Sequence, residues 1–242
     1  MKYEFYGKSL YLVKDKILVI TDLHLGYEQA LNEAGVFFPR SQFKEIIDEL
    51  NEIFSVLKEK NENVEKVVIL GDLKHKFGEV SRQEWEDVLE LLDFLLEKTK
   101  KIILIKGNHD SILEPIVKRK GIKIFDFYIE NEICFFHGNK IFPEIFDKKV
   151  KFLVLGHKHP AITIRKNVKV EIYKCFLVGK YKGKDVLILP SFFPFVEGSD
   201  VFVDDNNLGL ELNFDNFEVY VPVSVKEVLK FGKVKEVGKL NV

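Results

Sequence analysis

Four short apolar segments of this chain each run directly into a group of Asp, Asn, Gly or His residues. The segments are Lys16–Thr21, Val67–Leu70, Ile102–Ile105 and Phe152–Leu155. Apolar runs of this length are typical of strands buried on both faces, and such strands belong to layered α/β folds. Ligands of α/β sheets gather beyond the carboxyl ends of the strands. The sequence therefore predicts a sheet edge where the polar groups that follow these strands meet.

Two amphipathic helices are predicted between these strands. Apolar residues recur at helical spacing from about Ser41 to Lys60, which indicates a helix with one buried face. A second helix is predicted to begin at Ser81, because Glu84 three residues later completes a capping box. Trp85 in that helix is interpreted as a packing residue.

The chain changes character from about Ile122 onward, where the helical period fades. The β-rich segments are Glu132–Phe136, Lys169–Val178 and Asp185–Leu189, and Lys180–Lys184 predicts a hairpin turn. The Lys-rich stretch from Ser224 is interpreted as a surface appendage or a frayed tail. Because no repeat and no Pro/Gly/Ser-rich linker divides the sequence, we expect one domain.

Charge and hydropathy narrow the class of protein. The 37 basic and 38 acidic side chains give a net charge of −1, so any anionic ligand must be attracted locally. The sequence shows no signal peptide and no run of membrane-spanning length, so a cytoplasmic protein without a membrane partner is expected. Cys134 and Cys175 are far apart in sequence and are interpreted as core residues.

Five of the six histidines fall in motifs that combine Asp, Asn and His. Asp22 and His24 are one residue apart at a predicted strand end, where alternate side chains point the same way, so both are predicted to reach one ion. An isolated Asp-x-His pair is weak evidence for a metal site. The further candidates at strand ends are Asp72, Asn108, His109, His137, His157 and His159. Together these residues supply enough ligands for two metal ions.

The series D-x-H, G-D, G-N-H-D, a separate His and G-H-x-H resembles, in this order, the motifs of the calcineurin-like metallophosphoesterase superfamily, and it spans Asp22 to His159. The segments DLHLGYE, GDLKH and PSFFPFVEGSD resemble the small prokaryotic subgroup that includes ligase-associated phosphoesterases. The resemblance implies an α/β fold, a four-layer α/β/β/α sandwich of two mixed β-sheets flanked by helices. It also implies one domain over residues 1–242, with the motifs in 16–160 and a β-rich completion and short tail in 161–242.

The resemblance further implies a dinuclear metal centre. One ion would be bound by Asp22, His24, Asp72 and His159, and the second by Asp72, Asn108, His137 and His157. Asp72 would bridge the two ions, because the two oxygens of a carboxylate can bind different ions. Oxygen and imidazole ligands without a thiolate suit Mn, Fe, Co, Ni or Zn, and we expect Mn first.

The implied mechanism is the attack of a metal-bridging hydroxide on phosphorus. His109, the motif histidine that is not a ligand in the family pattern, is expected to protonate the leaving oxygen, and Asp110 is a candidate for orienting it. His75, Arg40 and Lys74 are candidate substrate contacts, with ordinary structural or surface roles as the alternative. Phe192, Phe193 and Phe195 are interpreted as core residues, with nucleobase stacking as the alternative.

We expect an enzyme that hydrolyses phosphodiesters of nucleotide or nucleic-acid type. A phosphomonoesterase acting on a small metabolite or nucleotide remains an alternative, because no motif reports on the second ester group. A non-catalytic metal-binding scaffold is an alternative of another class, but it predicts missing ligands and none is missing. The sequence after Gly71-Asp72 lacks the longer motif of phosphoprotein phosphatases, which argues against a phosphoprotein substrate. No motif identifies a protein partner.

Overall fold

A computed structural model describes residues 1–166, 168–203 and 209–238. Its first sheet contains β1 (Tyr3–Tyr6), β2 (Ser9–Leu12), β3 (Ile17–Ile20), β4 (Lys66–Ile69), β5 (Lys101–Ile105) and β6 (Ile124–Phe125), hydrogen-bonded in that order. Strands β3 to β6 run parallel, and the hairpin of β1 and β2 adds antiparallel to β3. The sequence predicted β3, β4 and β5 but not this N-terminal hairpin.

Two further sheets follow in the chain. Their strands are β7 (Phe127–Glu130), β8 (Ile133–Phe136), β9 (Phe152–Leu155), β10 (Pro160–Lys166), β11 (Lys169–Lys174), β12 (Phe176–Tyr181), β13 (Lys184–Ile188), β14 (Ser199–Asp200), β15 (Glu218–Pro222) and β16 (Val228–Lys233). The second sheet has the order β16-β15-β12-β13-β9-β8-β7 and is mixed, and the third has the order β11-β10-β14.

Helices from the first half of the chain cover the outer face of the first sheet. The described helices are α1 (Tyr27–Glu33), α2 (Gln42–Glu59), α3 (Arg82–Lys98), α4 (Glu114–Lys118) and α5 (Val234–Val237), with 3₁₀ turns at Pro143–Phe146 and Phe214–Asn216. The predicted bounds of α2 and the predicted start of α3 are confirmed, since Ser41 and Lys60 cap α2 and both halves of the Ser81–Glu84 capping box form at α3. Trp85 packs against the core beneath α3, as predicted.

Alternate residues of the central strands face two different layers. Ile17 and Val19 of β3 face the second sheet, whereas Leu18 and Ile20 face the helices. The buried cluster between the sheets takes residues from both of them, such as Val68 and Phe135. The predicted sandwich of two mixed sheets is thereby confirmed. The outer layer on the second sheet is built from α5, the 3₁₀ turns and the third sheet, since its buried cluster includes Ile145, Ile162, Phe214 and Val234.

The C-terminal part of the chain corrects one prediction. The appendage or frayed tail expected from Ser224 is wrong for residues 224–238, because β16 pairs with β15 and α5 packs on the second sheet. Val234 and Val237 are buried, and the four-residue α5 is too short to show a helical period in the sequence. Residues 239–242 lie outside the described residues.

Other predictions for the second half of the chain are confirmed. Lys182 and Gly183 have φ values of 46° and 80° and join β12 to β13 in the predicted hairpin turn. Lys169–Val178 is extended but divides at Cys175 between the third and second sheets. Cys134 and Cys175 are buried free cysteines, as interpreted. Across the described ranges, no helix combines the length and apolar character that a membrane crossing requires.

Two sets of parallel neighbours end at the same edge of the sandwich. Strands β3, β4 and β5 are parallel neighbours in the first sheet, and β8, β9 and β13 are parallel neighbours in the second. Each motif of the sequence follows the carboxyl end of one of these strands. Strand β13 alone among the six is followed by no motif. The sheets therefore bring the loops that follow five strands to one place.

Candidate metal centre

Left-handed backbone turns direct the motif side chains. Asp22, His24, Asp72, His157 and His159 have φ values of 53°, 48°, 49°, 65° and 48°. Residues other than Gly rarely adopt this region, and such residues persist where the surrounding structure forces them. Their concentration in three neighbouring loops marks this edge of the sandwich as a site whose geometry is held against local strain.

The same turns correct the explanation for Asp22 and His24. Strand β3 ends at Ile20, so the alternation of side chains along a strand does not align the pair. Leu23 between them is fully buried in the helix-side core, and two left-handed residues carry Asp22 and His24 to the opposite side. The predicted proximity holds, but turns produce it.

Backbone hydrogen bonds join the loops to one another. The Asp22 amide donates to the Gly71 carbonyl at 3.0 Å, and the His24 amide donates to the Asp72 carbonyl at 3.0 Å. The His157 amide donates to Asp22 Oδ2 at 3.0 Å. The loops after β3, β4 and β9 therefore form one unit rather than three independent segments.

In the described part of the chain, three groups of potential metal ligands lie at this edge, and one of them, His24, His75 and His109, contains no carboxylate. The first of the two ligand groups with a carboxylate consists of Asp22, His24 and His159, called here the Asp22 group; one donor atom from each lies within 4.8 Å of the others. The Nε2 atoms of His24 and His159 are 3.4 Å apart, and Asp22 Oδ1 is 3.2 Å from His159 Nε2. Asp22 is fully buried, and its Oδ2 accepts from the Thr21 hydroxyl at 2.8 Å. Its Oδ1 has no hydrogen-bond donor among the described residues.

The second group consists of Asp72, His137 and His157, called here the Asp72 group. His137 Nε2 lies 3.3 Å from Asp72 Oδ2, 3.1 Å from His157 Nδ1 and 3.0 Å from Asn108 Oδ1. His137 Nδ1 donates to the Leu70 carbonyl at 2.7 Å, which leaves Nε2 to face the site. A backbone carbonyl behind the ring is a common partner of a metal-binding histidine.

Asp72 lies between the two groups. Its Oδ1 accepts from the His109 amide at 2.9 Å, which leaves Oδ2 for the site. Oδ2 is 3.3 Å from His137 Nε2 on one side and 3.9 Å from His24 Nε2 on the other. One carboxylate oxygen thus faces donors from both groups.

The chemistry of these donors fits divalent cations. Asp22 Oδ1 and His24 Nδ1 are buried without a hydrogen-bond partner among the described residues, and such groups are costly unless something else compensates them. Pairs of imidazole nitrogens point at each other at distances of 3.1 and 3.4 Å. Carboxylate and imidazole ligands without a thiolate suit first-row transition metals.

The histidines differ in how strongly their surroundings favour the neutral form that binds a metal ion. Burial lowers the pKa of His24 to about 3, and the neighbouring His159 acts in the same direction. Burial and then His137 lower the pKa of His157 to about 4. Burial alone would raise the pKa of Asp22, but His159, His137 and His24 hold it below its ordinary value. His24 and His157 are therefore neutral near pH 7, as metal ligands must be.

His137 is the exception, and it makes metal binding pH-dependent. Burial alone would lower its pKa, but the hydrogen bond to Asp72 and the charges of Asp22 and Asp72 raise it to about 9. The ring is then charged near neutral pH without metal and must lose its proton to become a ligand. We expect metal binding to release about one proton per chain at neutral pH. Since protons compete with the metal below a pKa of about 9, apparent affinity falls as the pH falls.

Calorimetry of metal binding in two buffers with different ionisation enthalpies measures that proton. His75→Gln is the control variant and should release the same number of protons. A binding enthalpy that does not change between the buffers would contradict the assignment of His137 as a ligand.

The structure orients His109 in a way that the sequence did not predict. His109 Nδ1 donates to the His75 carbonyl, and Nε2 faces Asp72 Oδ2 at 3.8 Å. Asp110 does not orient the ring. Its carboxylate accepts from the amides of Gly107 at 2.9 Å and Leu73 at 3.0 Å, so it braces the loops after β4 and β5. Burial, and then repulsion from Asp72, raise the pKa of Asp110 to about 6.

The three candidate substrate contacts lie in different surroundings. His75 is half-buried beside the site, where its ring stacks on His109 at 5.6 Å between centroids. Lys74 is fully buried, and its ammonium donates to the backbone carbonyls of Lys76 and Glu79, which argues against a substrate contact. Arg40 pairs with Asp87 of α3 at 2.6 Å, so the structure gives it a partner away from the ligand groups.

A segment after β13 supports the site and was not predicted to do so. The Ser191 hydroxyl and the Phe193 amide both donate to the Asp22 carbonyl, at 3.0 and 3.1 Å. The Phe193 ring is 5.8 Å from the His24 ring, and Phe192 is buried in the helix-side core. Core packing, the preferred interpretation of these phenylalanines, is confirmed for Phe192 and Phe193, whereas Phe195 is only half-buried.

Glu84 connects the capping box of α3 to the orientation of His109. It is fully buried, and its Oε1 accepts from the amides of His75 and Lys76 at 3.0 and 2.7 Å. Its Oε2 accepts from the Ser81 amide at 2.7 Å. The carboxylate therefore fixes the segment whose carbonyl holds the His109 ring.

Glu84→Ala should lower kcat although Glu84 touches none of the ligand groups. We expect a loss of about 10- to 100-fold, as for other residues that orient catalytic groups from behind. Ser81→Ala is the matched control: it removes the other half of the capping box and costs about 1 kcal/mol of stability, but leaves the bonds to His75 and Lys76. Steady-state kinetics and thermal unfolding of both variants separate the two effects. Equal kcat values for the two variants would contradict the positioning role.

The sequence model for calcineurin-like phosphoesterases matches residues 15–221. No curated protein matches the sequence at a significant level. Among solved structures, the nuclease MPE of Pseudomonas putida has a TM-score of 0.65 at 17% identity and covers 95% of this chain and 100% of that chain. YfcE, a phosphoesterase of E. coli, has a TM-score of 0.43 at 13% identity, covering 90% and 97%. Wild-type Vps29 of Entamoeba histolytica, solved with zinc, has a TM-score of 0.40 at 16% identity, covering 89% and 99%. The first likeness shows a shared fold.

Proposed function

The chain belongs to the calcineurin-like phosphoesterase family and is a metal-dependent phosphoesterase, and we propose that it hydrolyses phosphodiesters of nucleotide or nucleic-acid type at a dinuclear centre. The observation that carries the proposal is the position of Asp72 Oδ2, which faces donors of both ligand groups and lies 3.8 Å from His109 Nε2. The proposal includes a single catalytic domain over residues 1–242.

The proposed ligands divide as the two groups do. Asp22, His24, Asp72 and His159 would hold one ion, and Asp72, Asn108, His137 and His157 the other. Two bound divalent ions, Mn first with Fe, Ni, Co or Zn as alternatives, supply a water nucleophile at neutral pH and positive charge for the phosphoryl oxygens. Asp22 and Asp72 are the only carboxylates in this set, and they offset about half of the charge of two such ions. A phosphate ester is thereby attracted although the chain carries a net charge of −1.

His109 is proposed to protonate the leaving oxygen. The His75 carbonyl fixes Nδ1, so Nε2 is the nitrogen that can exchange a proton with substrate. Nε2 lies 3.8 Å from Asp72 Oδ2, so the proton that it would donate lies beside the two ligand groups. His75 provides its carbonyl for this purpose, and its ring is proposed to line the substrate site beside Tyr27, 4.9 Å away.

An exposed aromatic ring beside the acid supports a diester with a large leaving group. Phe77 is 61% exposed, and its ring centroid is 3.7 Å from that of His109. The buried Lys74 ammonium holds the segment that carries this ring. A nucleobase on the leaving side could stack on such a face. The Pseudomonas putida protein of the same fold is named as a nuclease, which agrees with a nucleic-acid substrate.

The effect of His109→Ala should depend on the leaving group. Hydrolysis of a dinucleoside phosphate expels a nucleoside alkoxide, which needs a proton. We therefore expect this reaction to slow by about 10²- to 10⁴-fold. Bis-p-nitrophenyl phosphate releases a stable phenolate, so its hydrolysis should slow far less. Phe77→Leu keeps the acid and should slow both substrates by similar factors. Equal losses for both substrates in His109→Ala would contradict the assignment of the acid.

A further inference from the structure

Strand β11 forms an open edge of the third sheet. It pairs with β10 along residues 169–174, and within the described part of the chain no strand pairs with its other side. Open strand edges offer unpaired amides and carbonyls to a further strand, and proteins usually protect them with charges or Pro. The residues on this edge determine what it can bind.

The pairing with β10 shows which residues of β11 direct their backbone groups outward. The Cys175 amide donates to the Pro160 carbonyl at 2.9 Å, so this pair is of the hydrogen-bonded kind. In an antiparallel ladder hydrogen-bonded and non-hydrogen-bonded pairs alternate. Counting back through the register, Val170 and Ile172 belong to non-hydrogen-bonded pairs with β10. Their amides and carbonyls therefore point to the open edge.

The same edge has an exposed apolar face. Val170 and Ile172 are 55% and 43% exposed, and their spacing of two places their side chains on one face of β11. Val168, in the turn that leads into β11, is 100% exposed. On the other face Tyr173 packs against the second-sheet core, and Lys169 pairs with Glu171 at 2.6 Å. The open edge therefore combines an exposed face of branched apolar side chains with a face that carries Lys169 and Glu171.

We propose that β11 pairs with β11 of a second copy of this chain across a twofold axis, with Val170 opposite Val170 of the second copy. In this antiparallel register Val168 lies opposite Ile172, and Lys169 lies opposite Glu171. The outward-facing backbone groups of Val170 and Ile172 then form the hydrogen bonds. The proposal does not depend on the enzymatic function.

Charge selects this register over its neighbours. Moving the axis by one residue places either Lys169 opposite Lys169 or Glu171 opposite Glu171, and like charges directly opposite each other are unfavourable. The proposed register instead makes two Lys–Glu pairs on one face and a stripe of six apolar side chains on the other. It is self-complementary, as a twofold interface must be, and it joins two three-stranded sheets into one of six.

Analytical ultracentrifugation over a range of concentrations tests the interface. The wild-type chain is expected at twice its mass of 28.2 kDa. Val170→Lys should give the monomer, because it places two ammonium groups side by side at the axis. Ile129→Lys is the control, since Ile129 is 37% exposed on β7, the edge strand of the second sheet, and this variant should remain dimeric. A monomeric wild type, or a Val170→Lys variant that stays dimeric, would overturn the proposal.

Two charge reversals test the register itself. Lys169→Glu alone and Glu171→Lys alone each place like charges across the axis and should weaken the dimer. Mixed in equal amounts, the two variants should form a heterodimer, because each reversed charge then meets an opposite one. Both variants lose the Lys169–Glu171 pair within the chain, so that pair cannot explain recovery. Circular dichroism confirms that the variants are folded, and a mixture that stays monomeric would refute the register.

Discussion

Replacing Asp72 with asparagine is expected to reduce phosphodiester hydrolysis by more than about 10³-fold. The amide keeps the size of the side chain, so packing is preserved. It removes the negative charge and leaves one oxygen, which cannot both accept from the His109 amide and face His24 and His137. The ion count per chain should fall as well, because both proposed ions have Asp72 as a ligand.

The control for Asp72→Asn is a variant with the same chemical change at a residue away from the ligand groups. Asp93→Asn serves, since Asp93 is half-exposed and pairs with Lys120 at 2.6 Å. Activity assays and metal analysis of the two variants give the result. An Asp72→Asn protein that keeps both its ions and more than a tenth of its activity would contradict the bridging assignment.

Gly107→Ala is expected to destabilise the protein by about 3 kcal/mol and to remove most activity. A Cβ at Gly107 would lie 2.1 Å from Asp72 Oδ1 and 2.2 Å from the Asp72 amide nitrogen. Backbone cannot yield as a flexible side chain can, so the loops after β4 and β5 must separate. That movement would shift Asp72 away from His24 and His137.

Gly238→Ala is the control, because it makes the same Gly→Ala change where, among the described residues, no backbone of another segment lies close to the added Cβ. Gly238 also has an ordinary φ, −56°, and the nearest atom to its added Cβ is a Phe202 ring carbon at 3.2 Å. Its effect on stability should be within about 1 kcal/mol. Denaturant unfolding and hydrolysis assays measure both variants, and a Gly107→Ala protein of normal stability and activity would contradict the close approach of the two loops.

Gly107 also shows why the site was predictable from the sequence. The glycines before Asp72, Asn108 and His157 allow the loops to approach within backbone contact. A Cβ at Gly156, for example, would lie only 2.0 Å from the Thr21 hydroxyl. Because the carboxyl ends of parallel strands meet at one edge, residues following five strands had to converge. The motif positions therefore contained both the ligands and the space for them.

The orientation of the site's side chains was harder to predict from the sequence. The His75 carbonyl that holds His109 belongs to no motif, since every residue has a carbonyl. Ser191 supports Asp22 across 169 positions of sequence, and a hydroxyl in a Pro-flanked segment gives no local signal of such a contact. The pairing of β1 with β2 was missed because charges interrupt its alternation of apolar residues.

The most direct test of the dinuclear diesterase is a titration of metal-free protein with Mn²⁺, following bound ions per chain and the hydrolysis of bis-p-nitrophenyl phosphate and p-nitrophenyl phosphate together. We expect activity to develop as about two ions bind per chain, with the diester hydrolysed faster. Full activity with one ion would contradict the dinuclear centre. Faster hydrolysis of the monoester would contradict the diester substrate, and bound metal without turnover of either ester would contradict the proposed function.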